Sequence, residues 1–186
     1  LNPATGDVAW KIGWKRKFGS PVAATIGETP VAVCPGGEIV RAADGEVLVK
    51  DLAKLTYNAP VVHDGVAYFI EHGGKAIRLP GEASDDMTFE TLWTTKPHKD
   101  RYYGSPLLHE GLIYAVTQKG LLSVLDAADG EVVYEQNLGI GNTVYPSPTL
   151  AGPYVLVASD NGKMVLLKPG RNFEKVAENR LTRFRS

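Results

Sequence analysis

A four-residue motif recurs four times at nearly constant spacing, and this repeat constrains the fold more than any other feature of the chain. Each copy has an aromatic residue, two small or turn-forming residues and a proline: Phe18-Gly19-Ser20-Pro21, Tyr57-Asn58-Ala59-Pro60, Tyr103-Gly104-Ser105-Pro106 and Tyr145-Pro146-Ser147-Pro148. The four prolines are 39, 46 and 42 residues apart. A four-stranded propeller blade takes about 40–45 residues. The spacing therefore predicts a tandem array of β-propeller blades.

A second repeated landmark is a turn that pairs an acidic or amide residue with glycine. The segment Arg41–Val47 matches Asp126–Val132, two repeats further on, and Asn2–Val8 is a third copy. Asp and Asn cap such turns with their own side chains, and Gly supplies the positive φ angle. A β-favouring run follows each copy, so each one is predicted to form a hairpin.

The third repeat shows the expected blade most clearly. Its four predicted strands are Ser105–His109, Leu112–Thr117, Leu121–Leu125 and Glu131–Gln136. Short strands separated by turns indicate an all-β fold, and the 20 glycines and 12 prolines interrupt the chain too often for a convincing amphipathic helix. Strands that are apolar on both faces suit blades that stack around an axis.

We therefore expect a single propeller segment over residues 1–186. Residues 1–17 are predicted to be the outer-strand remnant of a preceding blade, with four-stranded antiparallel blades at about 18–56, 57–102, 103–144 and 145–186. The proline of each motif is tolerable because it begins the first strand of its blade, where a missing N–H can be accommodated. The aromatic residue of each motif has two possible places: a partial ring at one mouth of the central channel, or the core between neighbouring blades. The core is the favoured interpretation.

Composition excludes several functional classes. The net charge of −1 gives no electrostatic attraction to nucleic acid or to an anionic membrane. No apolar stretch approaches the ~18 residues of a membrane span. Cys34 is the only cysteine, so an intrachain disulfide is impossible. It follows the apolar run Val31–Val33 and is predicted to be a buried structural thiol.

The segments Leu125–Tyr134 and Leu1–Trp10 resemble the PQQ-like, or quinoprotein-like, propeller repeat, and the resemblance extends over essentially the whole chain. It implies that the aromatic residue four positions after the turn glycine docks one blade on the next. Those residues are Trp10 and Tyr134, with Trp93 as the equivalent in the second repeat, whereas the first repeat departs with Val49. Propellers of this family usually close with seven or eight blades. We therefore expect either a piece of a longer protein or two copies that complete a ring.

The resemblance offers two functions of different classes. One is a segment of a PQQ-dependent alcohol or sugar dehydrogenase, which would bind the quinone on the channel axis near a Ca²⁺ ion. Many such enzymes carry a vicinal disulfide, which this sequence lacks, and only Asn58, Asp100 and Asn142 supply acidic or amide side chains in the inter-blade segments. We expect no catalytic residue, no cofactor and no enzyme activity.

Metal binding is not expected either. His63 and His109 hold equivalent turn positions on adjacent blades, where they should point away from each other. The acidic insertion Glu82–Asp86 lacks the regular spacing of a Ca²⁺ loop. Both features are interpreted as solvated turns.

The other function is a scaffold that binds other proteins. Non-catalytic relatives include the outer-membrane assembly lipoprotein, which implies a bacterial envelope protein in a periplasmic or extracytoplasmic setting. Tyrosines and charges in inter-blade loops have the composition of binding hot spots. The candidate partner-binding residues are Asp100, Arg101, Tyr102, Tyr103, Tyr57, Tyr145 and Trp14. The expected partners are envelope proteins, with self-association as a further possibility and no nucleic acid.

Overall fold

The computed structural model describes residues 1–2, 4–13, 18–84, 86–141 and 143–181. Every regular element within those residues is a β-strand. The chain folds into four four-stranded sheets, and each sheet is made of four strands consecutive in sequence. In chain order the strands are β1 (Val22–Ile26), β2 (Thr29–Val33), β3 (Ile39–Arg41), β4 (Val47–Val49), β5 (Val61–His63), β6 (Val66–Ile70), β7 (Gly74–Arg78), β8 (Glu90–Thr95), β9 (Leu107–His109), β10 (Leu112–Val116), β11 (Leu121–Asp126), β12 (Val132–Asn137), β13 (Thr149–Ala151), β14 (Tyr154–Ala158), β15 (Lys163–Leu167) and β16 (Lys175–Arg180).

All pairings within the blades are antiparallel, so each blade is a meander. This is the all-β partial propeller that the repeat predicts. In the third repeat the strands differ from the predicted ones by at most two residues at either end. The pairing of the third and fourth strands slips at an equivalent place in every blade, for example between Val124 and Leu125. Such a bulge increases the local twist of the blade.

In blades two and three the hairpin between the first two strands is set by an acidic residue and a glycine, both at positive φ. Asp64 and Gly65 have φ of 46° and 71°, and Glu110 and Gly111 have φ of 48° and 73°. Two successive positive φ angles belong to the type I′ turn, whose twist matches that of the flanking strands.

The turn that was recognised three times in the sequence has the same backbone hydrogen bonds in all three copies. Its glycine N–H donates to the carbonyl four residues earlier: Gly6 to Asn2 at 2.7 Å, Gly45 to Arg41 at 3.0 Å and Gly130 to Asp126 at 2.9 Å. The N-terminal copy thus has the geometry of a blade turn, although no strand flanks it in the described residues.

Three apolar clusters fill the spaces between the four blades. One joins blades one and two around Ile26 and Phe69, and a second joins blades two and three around Tyr68 and Ile113. The third joins blades three and four around Tyr114 and Val157. Each blade face that meets a neighbour is therefore buried, which explains why the second strands of blades two and three are apolar at every position.

Cys34 is 1% exposed, as predicted for a structural thiol. Burial raises the pKa of the thiol to about 12, and the nearby Glu38 carboxylate adds to the increase. Between the ordinary pKa of 9.0 and about 12 the unfolded chain ionises this thiol while the folded chain does not, so its contribution to stability declines as the pH rises through that range.

We expect the Cys34 thiol to react very slowly with a disulfide reagent at pH 8, because the thiolate is the reactive species and is suppressed in the folded protein. Absorbance of the released thiolate measures the rate. The same reagent in urea is the control, and there the thiol should react completely. Equal rates in the two solutions would contradict the assigned burial.

Candidate binding surface

Four aromatic side chains form a continuous ladder across the inner ends of the blades. The ring centroids of Phe18 and Tyr57 lie 5.6 Å apart with nearly parallel planes, and those of Tyr57 and Tyr103 lie 5.0 Å apart edge to face. Tyr103 and Tyr145 are stacked at 5.0 Å. These separations and angles are those of favourable aromatic pairs. The four rings together line an open cavity of about 380 Å³. We call these four residues the aromatic ladder.

The preference for placing these aromatics in the core between blades is wrong. Phe18 is 67% exposed and Tyr145 is 58% exposed, at the two ends of the ladder. Tyr57 and Tyr103 are half-buried between them. The four rings instead form a row of contacting side chains with exposed ends, which agrees better with the other place predicted for them, a partial ring at one mouth of the channel. The reason is that each ring packs against the neighbouring rings of the ladder instead of against the strands.

A relay of hydrogen bonds joins the motifs of neighbouring blades next to the aromatic ladder. The N–H of Ala59 donates to Ser105 Oγ at 3.0 Å, and the N–H of Ser105 donates to Ser147 Oγ at 2.9 Å. These residues hold the same place in three successive motifs. Ser105 and Ser147, which precede the prolines of the third and fourth motifs, thus have a role that sequence reasoning missed, although the recurrence of serine at this place was the signal.

Steric crowding explains why the third motif has a glycine at position 104. A Cβ atom on Gly104 would lie 2.6 Å from the carbonyl oxygen of Pro146 and 2.9 Å from the Cα of Ser147. Because these are backbone atoms of the next blade, they cannot move aside cheaply. The blades approach each other here more closely than any side chain permits.

Replacing Ser105 with alanine is expected to lower the free energy of unfolding by about 1 kcal/mol, since the half-buried N–H of Ala59 loses its acceptor. Urea unfolding followed by circular dichroism measures the change. Ser84, which is exposed in the acidic insertion, gives the matched control variant Ser84→Ala. A similar effect of both substitutions would contradict the relay.

The loop before the third motif is held by polar contacts. Asp100 Oδ1 accepts hydrogen bonds from the N–H of Arg101 at 2.8 Å and from Gln118 Nε2 at 3.1 Å. The guanidinium of Arg101 donates to the hydroxyl of Tyr103 at 3.4 Å, and this contact raises the pKa of Arg101. An exposed cation therefore lies beside the aromatic ladder, in contact with Tyr103. Gln118 was not recognised from the sequence because it lies in a different loop.

Tyr102 is not a surface contact, and its prediction as one is wrong. It is fully buried in the cluster between blades two and three, where its hydroxyl donates to the carbonyl of His98 at 2.7 Å. Burial raises the pKa of this hydroxyl to about 12. Of the two adjacent tyrosines, one belongs to the core and the other to the ladder, because successive residues of an extended segment face opposite sides.

Trp14 lies outside the described residues, whereas each of the other two tryptophans docks on the turn of a blade. The indole N–H of Trp93 donates to the carbonyl of Ala127 at 2.9 Å, and that of Trp10 donates to the carbonyl of Ala42 at 2.8 Å. Each ring also covers the glycine of the turn it contacts, namely Gly130 or Gly45. This is the docking role that the resemblance implied for both tryptophans.

Tyr134 and Val49 have different surroundings. Tyr134 packs against the cluster between blades three and four and lies 6.3 Å from Phe173, centroid to centroid. Val49 packs against the cluster between blades one and two. Blades two and four lack an acidic-glycine turn between their third and fourth strands, so these residues have no glycine of that kind to cover.

The described residues contain no group of three or more His, Cys, Asp or Glu side chains that could hold a metal ion. His63 contacts its neighbour Asp64 at 3.2 Å, and His109 contacts Glu110 at 4.0 Å. Asn58 is buried and donates to the carbonyls of Ile70 and Tyr102. Asp85, in the acidic insertion, and Asn142 lie outside the described residues. Within the described part of the chain, these acidic and imidazole side chains therefore do not come together as a ligand set for a calcium ion.

Among the described residues, no helix has the length and hydropathy to cross a membrane.

Comparison with known proteins agrees with the propeller. A family model of PQQ repeats, described as outer membrane protein assembly factor BamB, matches residues 82–169, just under half of the chain. The search of the curated proteins found no match.

Three solved structures show the likeness of fold. BamB from Moraxella catarrhalis superposes with a TM-score of 0.68 at 16% identity, over 97% of this chain and 57% of that one. The computationally designed protein Ika4 gives 0.63 at 13% identity, over 89% of this chain and 100% of that one. A europium-containing methanol dehydrogenase gives 0.51 at 16% identity, over 65% of this chain and 24% of that one. This chain therefore spans little more than half the length of the BamB structure, and the three likenesses concern the fold alone.

Proposed function

We propose that this chain, whose blades are of the PQQ-like β-propeller kind, is a non-catalytic scaffold that binds other proteins, within a bacterial envelope protein on the periplasmic or extracytoplasmic side. The observation that carries the proposal is the aromatic ladder. Its end residues, Phe18 and Tyr145, are among the most exposed large apolar side chains of the described residues. Contiguous exposed apolar surface on a soluble domain marks an interaction site.

The chemistry of the ladder suits a protein partner. Three of its four residues are tyrosines, and Arg101 stands beside them, which are residue types enriched in binding hot spots. Tyrosine rings offer a large contact area at a small cost in conformational entropy. The rings are already stacked on one another, so little ordering remains to be done on binding.

The ladder and its cation together favour one kind of partner segment. An apolar side chain would occupy part of the open cavity of about 380 Å³ that the four rings line. An acidic side chain next to it would pair with the guanidinium of Arg101 at the rim, where such pairs contribute mainly to orientation. The partner we infer therefore presents an aliphatic or aromatic residue close to an Asp or Glu.

The envelope setting rests on the family model and on the likeness to BamB, whose printed description is an outer membrane protein assembly factor. At 16% identity this likeness supports the fold, and the partners of BamB are not carried over to this chain. Assembly of membrane proteins is one process in which an apolar docking surface of this kind would be useful.

Quinone retention tests the non-catalytic part of the proposal. The protein is equilibrated with PQQ and Ca²⁺ and passed through a gel-filtration column, and the absorbance of the protein peak is recorded. We expect no quinone to be retained. Stoichiometric quinone in the protein peak would contradict the scaffold function and support a dehydrogenase segment.

A further inference from the structure

The backbone next to the aromatic ladder offers a partner few hydrogen-bond donors. The prolines of the motifs, among them Pro60, Pro106 and Pro148, have no N–H. The N–H of Ala59 and that of Ser105 are already used, because each donates to the serine hydroxyl of the next motif. These backbone groups are therefore not available to a second chain.

The first strands of the blades are also poorly suited to pairing with a partner strand. Three of the four, β5, β9 and β13, have only three residues, and each begins directly after the proline of its motif. A peptide that adds to a sheet needs a row of unpaired N–H and C=O groups along an edge strand. A partner at the ladder is therefore held by side chains and not by strand pairing.

The side chains at the ladder supply hydrogen-bond donors beside the rings. Tyr103 accepts a hydrogen bond from the guanidinium of Arg101 at 3.4 Å, which leaves the hydroxyl proton of Tyr103 to donate elsewhere. The pKa of Arg101 is raised first by this hydrogen bond and then by its electrostatic interaction with Tyr57, so the guanidinium lies close to both central tyrosines. Tyr145 is 58% exposed, and its hydroxyl is a further donor.

The four rings form two stacked pairs that meet at nearly a right angle. The planes of Phe18 and Tyr57 are 15° from parallel, and those of Tyr103 and Tyr145 are 24° from parallel. Between the pairs, the planes of Tyr57 and Tyr103 are inclined by 83°. The rings thus line their open cavity from different directions. Aromatic-lined grooves are the surfaces on which other peptide-binding domains receive proline-rich segments.

The hydrogen-bonding needs of the partner backbone discriminate among the possible segments. A helix satisfies its own carbonyl groups, so the tyrosine hydroxyls would find no backbone acceptor along it. An extended strand would bring N–H groups that need acceptors as well as carbonyl groups. A polyproline II segment has no internal hydrogen bonds, so its carbonyl groups are free, and its prolines have no N–H to satisfy. This conformation therefore complements a surface of aromatic rings and donors.

We propose that the aromatic ladder binds a proline-rich segment in the polyproline II conformation, with an acidic residue beside it that pairs with Arg101. The inference rests on the proposed function, because it names the kind of partner segment that the ladder receives. Pyrrolidine rings of the segment occupy the cavity that the four aromatic rings line, and the hydroxyls of Tyr103 and Tyr145 donate to its carbonyl groups. Such a segment is already ordered, so binding costs little conformational entropy.

The test is the affinity of a fluorescently labelled peptide of about ten residues, measured by fluorescence anisotropy. As a polyproline II helix this peptide spans about 30 Å, so it extends past a ladder whose three steps are 5.0–5.6 Å each. Its residues are prolines apart from one leucine and one glutamate. Alanine replaces every proline in the first control peptide, and glutamine replaces the glutamate in the second.

We expect the proline peptide to bind about tenfold more tightly than the alanine peptide, because the alanine chain must be ordered on binding. Tyr145→Phe and Tyr103→Phe keep the ring but remove a hydroxyl, and each should weaken binding of the proline peptide about fivefold. Tyr154→Phe on β14 is the matched control outside the ladder and should have no effect. Replacing the glutamate of the peptide should weaken binding about twofold at low salt. Unchanged circular dichroism shows that each variant is folded.

Equal affinity of the proline and alanine peptides would overturn the inference, and so would binding of the proline peptide that both phenylalanine variants leave unchanged. The proposed function is judged separately, by photocrosslinking from Tyr145 and Phe18 in bacterial envelopes. Protein adducts from these positions without a preference for the proline peptide would keep the binding function and assign the ladder a partner segment of another conformation. Absence of both would remove the binding function as well.

Discussion

Replacing Trp93 with alanine is expected to lower the free energy of unfolding by about 3–5 kcal/mol, the usual cost of deleting a buried aromatic side chain. Trp93 is 7% exposed, packs with Tyr68 at 5.9 Å between centroids and covers the turn at Gly130. The substitution also leaves the carbonyl of Ala127 without its indole donor. Urea unfolding followed by circular dichroism measures the loss.

Trp10→Ala is the matched control, because Trp10 makes the same hydrogen bond and the same glycine contact but is only half-buried. We expect a clearly smaller loss for Trp10→Ala, since less apolar area returns to water. Equal losses, or a loss below about 1 kcal/mol for Trp93→Ala, would contradict the docking role of this ring.

Gly130→Ala is expected to cost about 2–5 kcal/mol, from two sources. Gly130 has a φ of 76°, and an alanine in the left-handed region is strained by roughly 1–2 kcal/mol. A Cβ atom there would also lie 2.5 Å from the ring of Trp93, and forcing the ring aside adds about 1–3 kcal/mol. The midpoint of urea unfolding and the near-ultraviolet circular dichroism of the tryptophan report the change.

Gly111→Ala separates the two sources. Gly111 has a similar φ of 73°, but a Cβ atom added there would meet nothing within 4 Å. Its substitution should therefore show the backbone strain alone. If Gly111→Ala cost as much as Gly130→Ala, the contact with Trp93 would contribute nothing and the docking account would fail. In the double variant Trp93→Ala with Gly130→Ala, the steric part of the cost should disappear.

The fold could be predicted from the sequence because residues that begin strands or form turns recur at corresponding places in successive repeats. The motif proline and the apolar second strand recur in order, and repeats two and three share an acidic-glycine hairpin, so the strand boundaries of the third repeat could be placed to within two residues. The docking tryptophans also followed, from the resemblance to the PQQ-like repeat. Position within a repeat constrains the backbone strongly, since each blade must meet the same neighbours.

The exposure of individual aromatic side chains could not be predicted from the sequence. Tyr102 and Tyr103 are adjacent and chemically identical, yet one is fully buried and the other lines the ladder. The favoured placement of Phe18 and Tyr145 in the core failed for a related reason. Their stacking partners are 39 to 46 residues away in sequence, and no local pattern reports that the inner ends of successive blades bring these rings within 5.0–5.6 Å.

The residues of the repeated motif divide into those that the fold requires and one, the aromatic residue, that it does not. Its glycine, serine and proline are explained by the approach of neighbouring backbones, the hydrogen-bond relay and the start of a strand. Its aromatic residue is not required by the packing of the strands, because at the ends of the ladder more than half of the ring is exposed to solvent. A large apolar side chain held in that state is not explained by the packing of the strands, and it is the feature on which the proposed binding function rests.

Site-specific photocrosslinking tests the proposed binding function most directly. A photoreactive phenylalanine analogue replaces Tyr145 or Phe18 in the ladder, or Leu150 or Val176 as exposed apolar controls at 41% and 45% exposure. In bacterial envelopes we predict a discrete protein adduct from the two ladder positions and none from the control positions. The adduct should be lost when Tyr57 and Tyr103 are both replaced by alanine. Equal adducts from ladder and control positions, or adducts that survive those alanine substitutions, would contradict the proposed binding function.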